Sequence, residues 1–358
     1  MFELASISEI PDSAILGKGQ AEANVNIALI KYWGKSNSEE NLPAVGSLSM
    51  TLNEWGSQTT VKWVDKRILN KHTFVINERL SHDLKVNRLL DTALIMAEKK
   101  GHSWAIQNKV SALVETKNSV PTASGLASSA SGMAALGLAS WMALSWDNPL
   151  EKEDLTEQVS RDKDELIDLV RIGSGSAVRS LYGGIVRLES DGRTMTSLCS
   201  ATDWPLALIV CVVDPGPKAI SSREGMERTR LTSPYYHAWV DSHAEDLDCA
   251  EAAVKNRDLS ALGPLMEHST FKMHAVMWSA KPPLRYIKGI SLNVLDQVEK
   301  LRQDGVGVWA TMDAGPHVKV LCHASDLEIA YQSLQKIPGL THCLVRYPGK
   351  SARAFKVK

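Results

Sequence analysis

The segment Pro121-Thr-Ala-Ser-Gly-Leu-Ala-Ser-Ser-Ala-Ser-Gly132 joins small and hydroxylated residues to an apolar helix pattern. Small side chains let a backbone approach a ligand closely, and a helix N-terminus offers unpaired N–H groups at the positive end of its dipole. Phosphate suits such a place, and a helix start chosen for close packing would use the same residues. The segment is not a Walker loop. Two Gly-Lys-Ser tripeptides occur at 34–36 and 349–351, but the glycine needed five positions earlier is Leu29 in one and Leu344 in the other. A second run, Gly173-Ser-Gly-Ser-Ala-Val-Arg-Ser180, adds flexible backbone, hydroxyls and a guanidinium able to hold carboxylate or phosphate through two parallel bonds. A plain Gly-Ser linker has the same composition.

Three further places carry reactive side chains. Asn24-Val-Asn-Ile-Ala-Leu-Ile-Lys-Tyr-Trp-Gly-Lys35 sets Lys31 and Lys35 four residues apart beside Tyr32 and Trp33, a pattern that an exposed cationic strand end would share. Thr311-Met-Asp-Ala-Gly-Pro-His317 puts a carboxylate at the end of an apolar strand and before a Gly-Pro turn. An acid there either forms the turn by accepting backbone N–H bonds or stands rigidly over a cleft as a catalytic group. His268 and His274 are six residues apart, nearly opposite on a helix, which argues against a shared metal.

The elements that must position these residues follow from periodicity. Residues 57–64 are rich in β-branched side chains and begin to alternate, and strands also fit 74–76 and 185–188. Apolar residues at helical spacing predict an amphipathic helix over 83–99. Nothing is charged from Ser119 to Trp146, yet only 133–144 is continuously near-apolar, too short for a bilayer, so a buried helix is predicted. A turn-rich stretch at 190–204 precedes the strand candidate 205–213, which places a domain boundary near residue 200 and gives domains 1–200 and 201–358. Helices fit 221–229, 232–255, 258–278 and 290–303, and strands fit 307–312, 318–322 and 343–347. Helices and strands mix without regular βαβ alternation, so the predicted class is α+β.

Composition removes several classes of function. The 358 residues are 44% apolar and 23% charged, an ordinary globular balance. With 40 Lys+Arg against 41 Asp+Glu, no global field draws the chain to nucleic acid or an anionic membrane, so an anionic ligand needs a local cluster. Five widely spaced cysteines form no C-x-x-C pair and argue against a disulfide framework or a zinc site. Acids near the N-terminus, where a signal peptide would carry Lys or Arg, lead to the expectation of a cytoplasmic location.

Taken in order, Asn26 with Lys31-Tyr-Trp-Gly-Lys35, Asn41-Leu-Pro43, the 121–131 loop, Arg171-Ile-Gly-Ser-Gly-Ser-Ala-Val-Arg179, Ser221-Ser-Arg-Glu-Gly-Met226 and Asp313-Ala-Gly-Pro316 resemble the mevalonate diphosphate decarboxylase family of the GHMP kinase superfamily. The resemblance spans residues 24 to 316. Small-molecule kinases of the superfamily carry a glycine-rich loop where Asp313-Ala-Gly-Pro stands. The resemblance implies a two-domain α+β fold with a deep cleft, ATP with Mg²⁺ as co-substrate, and small-molecule partners. A homodimer is compatible with it. The implied reaction is phosphorylation of the tertiary 3-hydroxyl of mevalonate 5-diphosphate, then loss of phosphate and CO₂ to give isopentenyl diphosphate.

Carried over by motif, Asp313 orients or deprotonates the hydroxyl, Arg179 holds the substrate carboxylate, and Lys31 steadies developing charge. Gly125, Ser128 and Ser129 fall where the family contacts ATP phosphates or Mg²⁺. Tyr32, Lys35, Ser174, Ser176, Ser222 and Arg223 fall on the substrate side, and Arg88 matches a diphosphate-binding arginine. Two departures stand out: Val45-Gly46-Ser47 replaces the family's Asn-Ser-Ser, and His317 replaces the Asn after Asp-Ala-Gly-Pro. They leave open a decarboxylase of mevalonate 5-phosphate, a mevalonate-type kinase, or a non-catalytic member acting as a binding protein.

Overall fold

The computed structural model describes residues 10–106, 109–119, 128–144, 163–214, 216 and 220–355. Two long antiparallel strands, β1 (Ile15–Ile30) and β4 (Ser47–Asp65), pair from Ile15↔Val64 to Ile30↔Leu48. The short ribbon of β2 (Lys35–Asn37) and β3 (Leu42–Pro43) lies between them in sequence. With β5 (Thr73–Ile76), β6 (Arg79–Ser81), β7 (Val110–Asn118), β8 (Ile185–Leu188) and β9 (Met195–Cys199), the long pair builds an eight-stranded sheet. The eighth member is the last strand of the described chain, β14 (Arg353–Phe355), which returns to pair with β1. Thus β9 occupies part of the stretch expected to be turn-rich.

Three helices cover one region of this sheet: α1 (Leu84–Lys99), α2 (Ser128–Leu144) and α3 (Lys163–Gly173). Helix α1 buries Leu89, Leu90, Ala93, Leu94 and Ala97 as the spacing predicts, but Val86 takes the place expected of Leu84, which is exposed; the Asp83 side chain caps the helix by accepting from the Lys85 N–H. Helix α2 is apolar around most of its circumference because it is sandwiched, as expected for its uncharged sequence. Glycines on β1 let the two meet: a Cβ on Gly19 would stand 2.2 Å from the Ala139 carbonyl oxygen.

The second half holds β10 (Leu206–Val212), α4 (Ser222–Thr232), α5 (Tyr236–Asp241), α6 (His243–Lys255), α7 (Leu259–Trp278) and α8 (Gly289–Gln303). It continues with β11 (Val308–Met312), β12 (Val318–His323), α9 (Leu327–Leu334) and β13 (His342–Arg346). Its four-stranded antiparallel sheet runs β11-β12-β10-β13. The single helix expected over 232–255 is broken at 233–235 and at Ser242: Pro234 has no N–H to donate and excludes Ser233 from the helical region, leaving it extended at φ -81° and ψ 123°.

The two halves share a core. Val25, Ile27, Leu29 and Ile30 of β1 pack with Leu48, Met50 and Leu52 of β4 against Leu206, Leu208 and Val210 of β10 and against α6 and α7. The end of β1 is therefore interior, not an exposed cationic strand end, and it delivers Lys31 into the junction of the halves. Among the described residues no helix is long and apolar enough to cross a membrane.

Candidate active site

A cavity of about 370 Å³ opens between the halves. The first half contributes Asn26, Lys31, Tyr32, Lys35, Asn41, Lys85, Ser129, Ser174, Ser176 and Arg179. The second contributes Ser222, Arg223, Met226, Met273 and Asp313. Segments nearly 290 residues apart thus meet at one place, and most of the site residues that the family resemblance implied line it, Gly125, Ser128 and Arg88 not being among the lining.

At its centre the Lys31 ammonium donates to Asp313 Oδ1 at 2.8 Å and to the Ala28 carbonyl at 2.9 Å. A second lysine, Lys319 of β12, donates to Asp313 Oδ2 at 2.7 Å. Lys31 is 1% exposed and Lys319 4%, whereas the Asp313 side chain is 35% exposed towards the cavity. Burial alone would push the Asp313 carboxyl up, but the charges and hydrogen bonds of the two lysines outweigh it and hold the carboxyl well below the usual carboxylate range. Burial pulls Lys31 down to about 8, with Asp313 opposing and Lys319 reinforcing that shift. The acid is therefore no mere turn-former: its side chain is fixed by two cations while the turn closes through the backbone bond Gly315 N–H to Asp313 O.

Arg179 sits in the 3₁₀ helix Gly175–Leu181 that follows α3. Its guanidinium donates twice to Asn26 Oδ1, at 3.1 and 3.0 Å, and to the Ser47 hydroxyl at 2.7 Å, and it lies 5.6 Å from the Tyr32 ring centroid. Asn26 in turn donates to the Ser180 hydroxyl at 2.7 Å. The Gly-Ser run is thus no linker. A Cβ on Gly175 would meet the Tyr32 hydroxyl at 2.4 Å and the Asn41 carbonyl at 2.8 Å, so only glycine allows this approach. The Tyr32 hydroxyl itself is buried without a protein partner and the residue lines the cavity. Burial raises it to about 12, so it is a hydrogen-bond donor at neutral pH.

One end of the cavity is cationic. Asn41, fully buried with φ 54°, donates to the Arg171 and Ile172 carbonyls at 3.1 and 2.7 Å, tying the β2–β3 turn to the end of α3. Its Oδ1 accepts from Lys35 and, at 3.1 Å, from Arg223. Burial, followed by the nearby charges of Arg223, Lys85 and Arg88, lowers Lys35 to about 8. Repulsion of that kind marks a place built for an anion. Arg88 is outside the cavity lining and donates to the Glu39 carbonyl, so its charge reaches the site only through this crowd. Ser222 and Arg223 begin α4, whose cap is the Ser221 hydroxyl accepting from Glu224 N–H. Ser174 and Ser176 stand 3.2 Å apart, hydroxyl to hydroxyl.

At the remaining edge Ser129, in the first turn of α2, lines the cavity, and Ser128 begins that helix. Gly125 lies outside the described residues. The two departures fill packing, not the cavity. Val45 is buried with Trp33 and Trp239, and the Gly46 carbonyl accepts from His243 Nε2 at 2.9 Å. A Cβ on Gly46 would meet Leu247 at 2.6 Å, while Ser47 keeps its hydroxyl on Arg179. His317 accepts from Val213 N–H at 3.1 Å.

Sequence reasoning missed Lys319 and Lys85, and it quoted Asn26 and Asn41 without giving them a part in the site. Lys319 had a signal: one lysine in Val318-Lys-Val-Leu-Cys322, a strand buried along nearly its whole length.

The architecture is the two-domain GHMP kinase fold, and the site is that of a phosphate-handling enzyme. The chain superposes on MDDEF in complex with MVAPP, AMPPCP and magnesium with a TM-score of 0.82 and 34% identity, covering 95% of this chain and 99% of that one. A structure of the mevalonate diphosphate decarboxylase from Enterococcus faecalis, described by its mevalonate-diphosphate-mediated ATP binding, gives a TM-score of 0.81 at 34% identity, with 95% and 99% covered. The family described as diphosphomevalonate decarboxylase-like N-terminal domain matches residues 23–199, and the mevalonate 5-diphosphate decarboxylase C-terminal domain matches 208–353. The diphosphomevalonate decarboxylase of Ganoderma lucidum is 31% identical over 350 residues, 91% of this chain and 81% of that protein. This chain belongs to the diphosphomevalonate decarboxylase family.

The hydrogen-bond pattern separates structure from binding at two positions. Tyr32→Phe removes a buried hydroxyl that has no protein partner, so unfolding free energy in urea should stay within about 0.5 kcal/mol of wild type or rise. Asn26→Ala strips two bonds from a buried guanidinium and should cost several kcal/mol, at roughly 1.5–3 kcal/mol for each bond to a charged group. Equal losses for the two variants would contradict this division.

Proposed function

We propose that the chain catalyses ATP-dependent decarboxylation of mevalonate 5-diphosphate to isopentenyl diphosphate, ADP, phosphate and CO₂. The observation that carries this reading is one cavity holding a lysine-clamped carboxylate, a separately braced arginine and a cluster of cations at the far end. A tertiary hydroxyl leaves poorly, and phosphorylation converts it into a good leaving group. Departure of that phosphate builds positive charge at C3, which draws the electron pair of the carboxylate C–C bond into the new double bond as CO₂ leaves.

Asp313 accepts a hydrogen bond from the 3-hydroxyl and aligns it, since a carboxyl held so far below its usual range is a weak proton acceptor. Lys31, beside it, steadies negative charge on the transferring phosphoryl group. Arg179 binds the substrate carboxylate, its guanidinium pre-aimed by Asn26 and Ser47, and the unpartnered Tyr32 hydroxyl donates to the substrate. Lys35 and Arg223, with Ser174, Ser176 and Ser222, receive the diphosphate, and Arg88 adds long-range charge.

ATP approaches the start of α2, and Gly125, Ser128 and Ser129, carried over from the family motif, serve its phosphates. Among the described residues no group of three or more His, Cys, Asp or Glu forms a metal cage, and Asp313 is engaged by lysines on both oxygens. Ser129, an exposed hydroxyl oxygen at the cavity edge, fits a Mg²⁺ ion held mainly by ATP phosphates, as this hard cation commonly is. Bound there, Mg²⁺ would neutralise phosphate charge. A cytoplasmic location, a homodimer and a domain division near residue 200 complete the reading, with β14 returning to the first domain's sheet.

Asp313→Asn keeps the shape and removes the charge, so turnover should fall by roughly 10²–10⁴ while ATP affinity stays nearly unchanged. A variant retaining more than about a tenth of wild-type turnover rules out the role.

Phosphate chain length tests the substrate assignment. A diphosphate carries about one more negative charge than a monophosphate, and losing one or two charge-assisted contacts means roughly tenfold to several-hundredfold weaker recognition. The expected kcat/KM therefore favours mevalonate 5-diphosphate over the 5-phosphate, and Arg223→Ala narrows that gap. Equal efficiency in wild type, or preference for the monophosphate, overturns the assignment.

A further inference from the structure

We propose that Lys319 is a positioning residue that, with Lys31, clamps the Asp313 carboxylate in its working orientation; the proposal rests on the assignment of Asp313 to the reacting hydroxyl. Lys319 lies opposite Thr311 across the β11–β12 pair, and Asp313 is two residues beyond Thr311, so strand alternation sends both side chains to one face. Each carboxylate oxygen is then held by its own ammonium, at 2.8 Å from Lys31 and 2.7 Å from Lys319. One lysine would leave the carboxylate free to rotate about χ2. Two lysines approaching from different strands fix its plane and leave its exposed edge to the cavity.

Folding alone gives no reason for this arrangement. A buried carboxylate needs one cation, and the second leaves an uncompensated positive charge in a confined place where Arg179 also adds its field. The groups facing Lys31 and Asp313 are Lys319 from β12, Arg179 from the 3₁₀ helix and His274 from α7. Burial and Lys31's charge lower His274 to about 4, so it is neutral at pH 7 and relieves none of the excess. A charge that costs stability and orients a site group is the signature of a functional residue.

The test compares wild type with Lys319→Met, Lys319→Gln and Lys319→Arg. Removing the ammonium should lower kcat for ADP release with mevalonate 5-diphosphate by roughly 10–100-fold and leave both KM values within about threefold. The melting temperature should stay equal to wild type or rise. The Lys31 ammonium, followed by NMR in the ligand-free protein, should titrate well below the ordinary lysine range in wild type, at about 8, because burial lowers it and Lys319 repels it. It should titrate higher in the Met and Gln variants, and Lys319→Arg should recover most of kcat. Lys31 titration needs no substrate, so it reads the clamp even when the substrate assignment is wrong, whereas an inactive wild type would count against that assignment alone. An unchanged Lys31 midpoint in a folded Met or Gln variant overturns the proposal, as does wild-type kcat. Loss of folding in both neutral variants would make Lys319 structural and equally overturn it.

Discussion

Lys31 and Asp313 reach each other from opposite halves of the chain, and the buried Lys31 ammonium depends on that carboxylate. An isolated ammonium or carboxylate in a closed interior costs several kcal/mol, so each requires its partner within hydrogen-bond reach. Lys31 follows the long strand β1, and Asp313 follows β11 of the second sheet. Their 2.8 Å contact fixes the distance between the halves at the floor of the cavity. The apolar continuity of β1, β4 and β10 beneath that contact supplies the stabilisation that a buried ion pair by itself does not.

Around this floor the cavity is graded in charge. Asp313 and its lysines occupy the centre, Arg179 one wall, and Lys35, Lys85 and Arg223 the far end around Asn41. The chain as a whole is nearly neutral, with 40 basic and 41 acidic residues, so the field is local and belongs to the site. Hydroxyl and glycine residues fill the spaces between the cations, where larger side chains would displace Tyr32 or Asn41. Such an arrangement is what the proposed reaction asks for: several cations for a small polyanion and one fixed carboxylate for its reacting centre.

Much of this was legible in the amino-acid sequence. Helix α1 appeared with most of its stripe because one packed face produces clean periodicity, and α2 appeared as a buried helix because it lacks charge altogether. The β1 segment was harder: Lys31, Tyr32 and Lys35 look like a solvated strand end until the second half of the chain covers them. The interruption of 232–255 was legible in Pro234, which lacks an N–H and turns Ser233 out of the helical region, a local signal that an expectation built on apolar spacing overrides. Lys319 is the most instructive omission, because its meaning depends on strand pairing with Thr311 and not on any neighbour in sequence. The Val45-Gly46 and His317 departures lie outside the cavity lining: Val45 packs with Trp33, Gly46 leaves no room for a side chain beside Leu247, and His317 accepts from the Val213 N–H.

The central claim is that one site phosphorylates a tertiary alcohol and then loses phosphate and CO₂ from the same molecule. The most direct measurement is a single-turnover reaction of the protein with ATP, Mg²⁺ and carboxyl-labelled mevalonate 5-diphosphate, with ADP and labelled CO₂ quantified from the same samples. The account predicts one CO₂ for each ADP, with isopentenyl diphosphate as the organic product. ADP formed without CO₂, accompanied by a stable phosphorylated product, would contradict it and define a kinase.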